Sequence, residues 1–226
     1  MRFHAGEHAE ALTEFEAAVS ADPSDLDALY YRGVTRGRLH QTAGAIDDLR
    51  AVHTARPSLD RAALELGIAL VDGERDRDAL APLEQAQRNS ELATQAAYFL
   101  GIARLRLGQN RAAMEEFERA ATDNDLRLPA RYYEGVARAR LQRWVTARER
   151  FEYVISKDPE SKFGKEAAEL PRRPPALSNL RVDRLRLRQQ RPARPGERIV
   201  GSRPSASATR ATARWSSASA PPTCRG

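Results

Sequence analysis

The feature that most constrains this chain is a period of 34 residues, on which Gly33, Gly67, Gly101 and Gly135 all fall. The same offset aligns Ala11, Ala45, Ala79, Ala113 and Ala147, followed four residues later by Phe15, Leu49, Leu83, Phe117 and Phe151. Three residues further come Ala18, Val52, Ala86, Ala120 and Val154, and the unit closes at Pro23, Pro57 and Pro159, with Glu91 and Asp125 in the two other slots. A unit of this size cannot bury its apolar face alone, so neighbours must stack to build a continuous core.

Counting positions from residues 26, 60, 94 and 128, the glycine is position 8 of a first helix and the alanine position 20 of a second. Both remove side-chain bulk where two helices cross, so their axes can approach closely. The large residue at position 24 fills the space beside them. Proline at position 32, lacking an N–H, ends the second helix and sets the connection to the next unit. These columns resemble the tetratricopeptide repeat, and the resemblance covers residues 1 to about 170. It implies an all-α fold: a right-handed superhelical solenoid of antiparallel helix pairs with a concave and a convex surface.

The register gives four units, 26–59, 60–93, 94–127 and 128–161, preceded by a partial unit, 1–25, that holds mainly a second helix. Met1 falls at about position 10 of a first helix, so the chain reads as starting inside a repeat. Residues 162–170 read as the start of a further helix that halts in the run PRRPP.

Charge divides at the same place. Residues 171–226 hold 13 Arg, no Lys and two acids, a net of +11, which leaves 24 basic and 29 acidic side chains before them, a net of −5. The overall +6 is therefore the average of two unlike pieces. The segment also carries 8 of the 13 prolines and none of the 12 Phe and Tyr residues, which reads as a disordered Arg/Pro/Ala/Ser-rich tail. Two origins fit it. One is a basic extension that binds phosphate-bearing nucleic acid or an anionic membrane. The other is translation of G+C-rich DNA out of frame, because RVDRLRLRQQRPARP admits codons whose next frame reads ASTGFGYDSNVPLAP. That string, like the A-x-Y-Y/F-x-G first helices, resembles bacterial cell-envelope proteins in which such repeats precede a β-barrel. The implied location of the intact protein is then the periplasm or outer membrane, with the cytoplasm as the alternative.

Catalysis finds no foothold in these residues. His4, His8, His40 and His53 join no ligand or triad pattern, and the glycines are taken by the repeat rather than by a phosphate-cradling loop. The single cysteine, Cys224, excludes an intrachain disulfide and a Cys-based zinc site. No run of 18 apolar residues is present to span a membrane, and MRFHAGEHAE lacks the apolar stretch of a signal peptide. No cofactor, metal or small-molecule substrate is called for.

The resemblance implies that a partner lies along the concave face, against first-helix positions 2, 5, 9, 12 and 13, of which 5, 9 and 13 hold the tyrosines, the apolar residues and the arginines. Carried over residue by residue, these give Tyr30, Val34 and Arg38; Tyr98, Ile102 and Arg106; and Tyr132, Val136 and Arg140, while unit 60–93 offers Leu64, Ile68 and Asp72. A tyrosine-bearing apolar groove rimmed by guanidinium groups suits an extended or helical peptide with some acidic character. Competing structural uses exist: arginines in a last helical turn complement the macrodipole, and the tyrosines can pack between repeats. Members of the family that clamp a peptide carboxylate carry Lys at position 5 and Asn at position 9, and this chain has neither. Asp47, Asp48, Glu115, Glu116, Glu118, Glu149 and Glu152 read as a solvated convex face. The expected function is a noncatalytic scaffold for a protein or peptide. The alternative is a cytoplasmic adaptor whose basic tail engages nucleic acid or membrane.

Overall fold

A computed structural model describes residues 8–170, so the readings on Met1, His4, Cys224 and the basic tail lie outside the described residues. Those described form ten helices: α1 (His8–Ala21), α2 (Leu26–Arg38), α3 (Thr42–Ala55), α4 (Asp60–Asp72), α5 (Asp76–Gln87), α6 (Ala93–Arg106), α7 (Asn110–Ala120), α8 (Arg127–Arg140), α9 (Trp144–Lys157) and α10 (Lys162–Glu169). Each packs on the helix before and after it, which produces a solenoid of helix pairs. Successive first helices, α2, α4, α6, α8 and α10, also touch one another more closely than successive second helices do. The stack is therefore tighter on the first-helix side, which makes that side the inner one.

The turn inside each pair follows one recipe. Position 15 adopts a left-handed conformation in all four units, at His40, Glu74 and Gln142 (φ 60° each) and Gly108 (φ 77°). That reversal lets the N–H of the next residue reach back to the carbonyl of position 11, as Gln41 does to Arg36, Arg75 to Leu70, Gln109 to Arg104 and Arg143 to Arg138. Carbonyls that would otherwise be orphaned at the helix end are thereby satisfied. Three of these left-handed residues carry a side chain, at a cost of roughly 1–2 kcal/mol each.

Connections between pairs use two solutions. Where position 32 is proline, the preceding second helix (α1, α3 or α9) runs for 14 residues. Where it is Glu91 or Asp125, α5 and α7 are shorter, at 12 and 11 residues. An Asn or Asp side chain turns the chain there, with Asn89 accepting from the Glu91 N–H and Asp123 from those of Asp125 and Leu126, and Asp22 and Asp158 do the same beside Pro23 and Pro159, accepting from the Ser24 and Ser161 N–H groups.

Within a pair, the position 8 glycine faces the position 24 side chain. A Cβ built on Gly33, Gly101 or Gly135 would stand 2.9, 2.7 and 2.5 Å from Leu49, Phe117 and Phe151, and Gly67 is as tightly pressed by Leu83. The glycine thus makes room for the large residue of its own unit, sixteen positions on, rather than for the position 20 alanine. That alanine, 0–1% exposed in all five copies, sits in the same seam. Gly101→Ala must displace a buried ring, so it should lower stability in urea denaturation by about 1–3 kcal/mol. Combining it with Phe117→Leu should cost less than the sum of the two single changes; strict additivity would show that the contact is slack.

Candidate partner-binding face

Packing of the first helices settles what each expected site residue touches. Tyr98 lies in the core at 2% exposure, edge-on to Phe99 and Phe117 and 6.2 Å from the ring of Tyr133. Burial alone pushes its phenol far above the ordinary tyrosine range. Tyr132, also buried, meets Tyr133, Phe151 and Phe163 at 5.1, 6.0 and 5.5 Å. Val34, Ile102 and Val136 are buried as well, and only Tyr30 among the apolar positions remains half-buried, edge-on to Tyr31. Inter-repeat packing of the tyrosines, rather than an open tyrosine-lined groove, is thus what the structure shows at Tyr98 and Tyr132.

Two of the three position 13 arginines reach across to the preceding unit. Arg106 donates from Nη1 to the carbonyl of Val71 at 2.7 Å and to Asp76 at 3.1 Å. Arg140 donates from Nη1 to the carbonyl of Leu105 at 2.7 Å. Each cation therefore caps the C-terminal end of the previous first helix, not its own, and one side chain serves the helix dipole and the stacking of units together. Desolvation lowers the Arg140 guanidinium from its ordinary value. Arg38, the third, is half-buried.

Position 11 arginines form a second set of ties that the sequence pattern held at a constant separation of twenty. Arg36 pairs with Glu16 at 3.0 Å, Arg104 with Glu84 at 2.9 Å and Arg138 with Glu118 at 2.6 Å, each across a unit boundary. Within the pairs, charge clusters gather on position 23. Arg32 and Arg36 both hold Asp48, and Arg104 holds Glu116. In unit 128–161 the signs are exchanged: Glu134, at position 7 and fully buried, receives Arg131, Arg138 and, from position 23, Arg150. Burial works to raise the Glu134 carboxyl, but the hydrogen bonds from Arg150, Arg131 and Arg138 outweigh it and hold the group below its ordinary 4.5. Asp48 and Glu116 consequently depart from the expected solvated face: at 5% and 2% exposure they are buried anions, held there by arginines of the first helices. Unit 60–93 replaces the whole cluster with Leu66, Leu70 and Pro82.

Aromatic stacking supplies a third tie that residue-type reasoning passed over. Tyr31 stacks on Phe15 at 5.5 Å and Tyr133 on Phe117 at 5.6 Å, in each case position 6 against position 24 of the preceding unit. Where position 24 is leucine, at Leu49 and Leu83, the following position 6 is Glu65 and Phe99, and no such tyrosine is present. Among the described residues, no group of three His, Cys, Asp or Glu could hold a metal ion, and no helix is long and apolar enough to cross a membrane.

A family model described as Tetratricopeptide repeat matches residues 2–60, 64–128 and 100–162. The chain belongs to the tetratricopeptide-repeat family. Solved structures agree on the fold. MamA 41-end from Desulfovibrio magneticus RS-1 is 22% identical over 71% of this chain and 91% of its own, with a TM-score of 0.64. YrrB is 23% identical over 74% and 86%, with a TM-score of 0.63. TTC0263, a thermophilic TPR protein in Thermus thermophilus, is 22% identical over 72% and 90%, with a TM-score of 0.55. Comparison with curated proteins gives no match.

Two measurements separate these roles. Tyr98→Ala leaves a cavity in the core and should cost roughly 3–5 kcal/mol in thermal or urea unfolding, and a loss below ~1 kcal/mol would place the ring outside the core. Glu134→Gln strips the anion from three arginines and should cost about 1–3 kcal/mol. Because the folded carboxyl titrates below 4.5, its contribution is present above that pH and lost as pH falls through the lower folded value. The gap between parent and Glu134→Gln in urea unfolding should accordingly be constant above pH 4.5 and close on acidification. A gap that widened instead would reverse the assigned shift.

Proposed function

We propose that this chain is a noncatalytic scaffold that holds a protein or peptide along the inner, first-helix side of the solenoid. The observation that carries this reading is the convergence of successive first helices, which sets the half-buried Tyr30 and Arg38 on one side, in line with Arg106 and Arg140 that tie the units beneath it together. Val34, Tyr98, Ile102, Tyr132 and Val136 form the packed wall beneath, so the surface is pre-organised and costs little ordering on binding. The guanidinium of Arg38 and the half-buried ring of Tyr30 favour an extended or helical segment with acidic side chains. The structural neighbour YrrB is described as a TPR protein with an unusual peptide-binding site, which is compatible with peptide recognition on this fold. None of these contacts needs a catalytic group.

Selection of a random displayed-peptide library on the full chain tests the assignment. Acidic sequences should be enriched. Tyr30→Ala with Arg38→Glu should weaken them at least about tenfold, or ~1.4 kcal/mol. Asp47→Lys, on the exposed side of α3, should leave affinity unchanged. Peptides that respond to Asp47→Lys but not to the Tyr30 and Arg38 changes would move the binding surface to the outer side.

A further inference from the structure

In a solenoid each unit touches only its neighbours, so the stiffness of the whole is set boundary by boundary. Three kinds of directional tie cross these boundaries: the position 11 arginine to the preceding position 25 glutamate, the position 13 arginine to the end of the preceding first helix, and the position 6 tyrosine stacked on the preceding position 24 ring. Units 94–127 and 128–161 are joined by all three, in Arg138 with Glu118, Arg140 with Leu105 and Tyr133 with Phe117. Unit 26–59 is held on α1 by two, Arg36 with Glu16 and Tyr31 with Phe15. Unit 94–127 is held on unit 60–93 by two, Arg104 with Glu84 and Arg106 with Val71.

Between units 26–59 and 60–93, each of these positions holds a residue that cannot make the tie. Position 11 is Leu70 and the preceding position 25 is Arg50; position 6 is Glu65 and the preceding position 24 is Leu49. Position 13 is Asp72, whose carboxylate has no proton to donate to a helix end. Instead, α4 rests on α3 by apolar contact, with Gly73 so close that a Cβ on it would stand 3.1 and 3.2 Å from the side chains of Ile46 and Thr42. Apolar contact fixes no direction, and helices packed in this way are the ones that slide past one another. The connection, by contrast, is pinned on both sides of one peptide. Arg56 donates to Asp27 of its own unit at 2.6 Å, and the Pro57 carbonyl accepts from Gln85 of the next at 2.7 Å. One end of the boundary is therefore a held pivot, and the other end, where Leu70 and Asp72 lie, lacks the arginine bonds that close the other boundaries. We propose that this boundary is the bending point of the solenoid, where α1–α3 rock as one body against α4–α10 about the Arg56–Pro57 connection. Bending there changes the separation of Tyr30 and Arg38 from Ile102 and Arg106, a consequence that rests on the binding face proposed above, whereas the bending itself does not.

Position 18 is exposed in all four units, at Ala43, Arg77, Arg111 and Val145. Spin labels on Ala43→Cys with Arg111→Cys, in the full-length chain carrying Cys224→Ser, span the loose boundary and the one after it. Labels on Arg77→Cys with Val145→Cys span two tied boundaries over the same number of residues. Distances from pulsed EPR, with no peptide present, should be spread at least about twice as widely for the first pair as for the second. Equal widths overturn the proposal. Asp72→Arg returns a donor to the loose boundary and should narrow the first pair toward the second; an unchanged width overturns the proposal too. If Asp72→Arg fails to fold, Arg140→Met decides: loss of the bond to Leu105 should broaden the second pair, and no broadening counts against the ties as the source of stiffness and refutes the proposal. Because no ligand takes part, these outcomes are independent of the peptide selection.

Discussion

The contact between a glycine in the first helix and a large side chain sixteen residues later is the constraint on which the rest of this molecule depends. Gly33, Gly67, Gly101 and Gly135 admit Leu49, Leu83, Phe117 and Phe151 against the backbone of the partner helix. That contact fixes the distance and crossing of the pair. Once the pair is fixed, its outer faces are fixed too, and the next unit docks against them, with position 6 stacking on the preceding position 24 at Tyr31 and Tyr133 and position 13 reaching the preceding helix end at Arg106 and Arg140. The stacked Phe117 and Tyr133 and the Arg140 bond to Leu105 are consequences of that geometry.

Charge then decides which helices belong together. Arg32 and Asp48 occupy positions 7 and 23 in one unit, while Glu134 and Arg150 occupy them with reversed sign in another. A mismatched pairing of these helices would bury two like charges, at a cost of several kcal/mol. Buried ion pairs are poor sources of net stability because of their desolvation cost, yet they discriminate strongly between right and wrong partners. In a chain whose units share one length and one set of small and large columns, such discrimination opposes registers slipped by whole repeats. Leu66, Leu70 and Pro82 show that one unit dispenses with the cluster and packs the same space with carbon.

Legibility in the sequence differed between fold and surface. The helix pairs were readable because the columns of Gly, Ala and large residues report contacts inside one unit, at short and constant separations. The candidate face was less so. Tyr98 and Arg106 occupy positions that in the family meet a partner, but whether such a ring faces a groove or a neighbour depends on the neighbour's bulk. Here Phe117 and Tyr133 enclose Tyr98, and the Val71 carbonyl takes Arg106. The separation of twenty between Arg36 and Glu16, Arg104 and Glu84, and Arg138 and Glu118 was visible as text, but nothing in residue types alone joined position 11 to the preceding position 25.

By itself, the sequence determined the fold class, the unit length and the family, because periodic small and large residues record where the two helices of each unit cross. It also divided the charge into an acidic repeat region and a basic segment after Leu170. Only the tertiary structure decided how the polar residues are spent: that Asp48, Glu116 and Glu134 are buried anions held by arginine, and that Arg106 and Arg140 cap a neighbouring helix. The reason is physical. Apolar periodicity records which helix faces meet, whereas the fate of a charge depends on which group lies within hydrogen-bond reach, in the partner helix for Asp48 and Glu116 and one unit away for Arg106 and Arg140, and only the packed helices decide that.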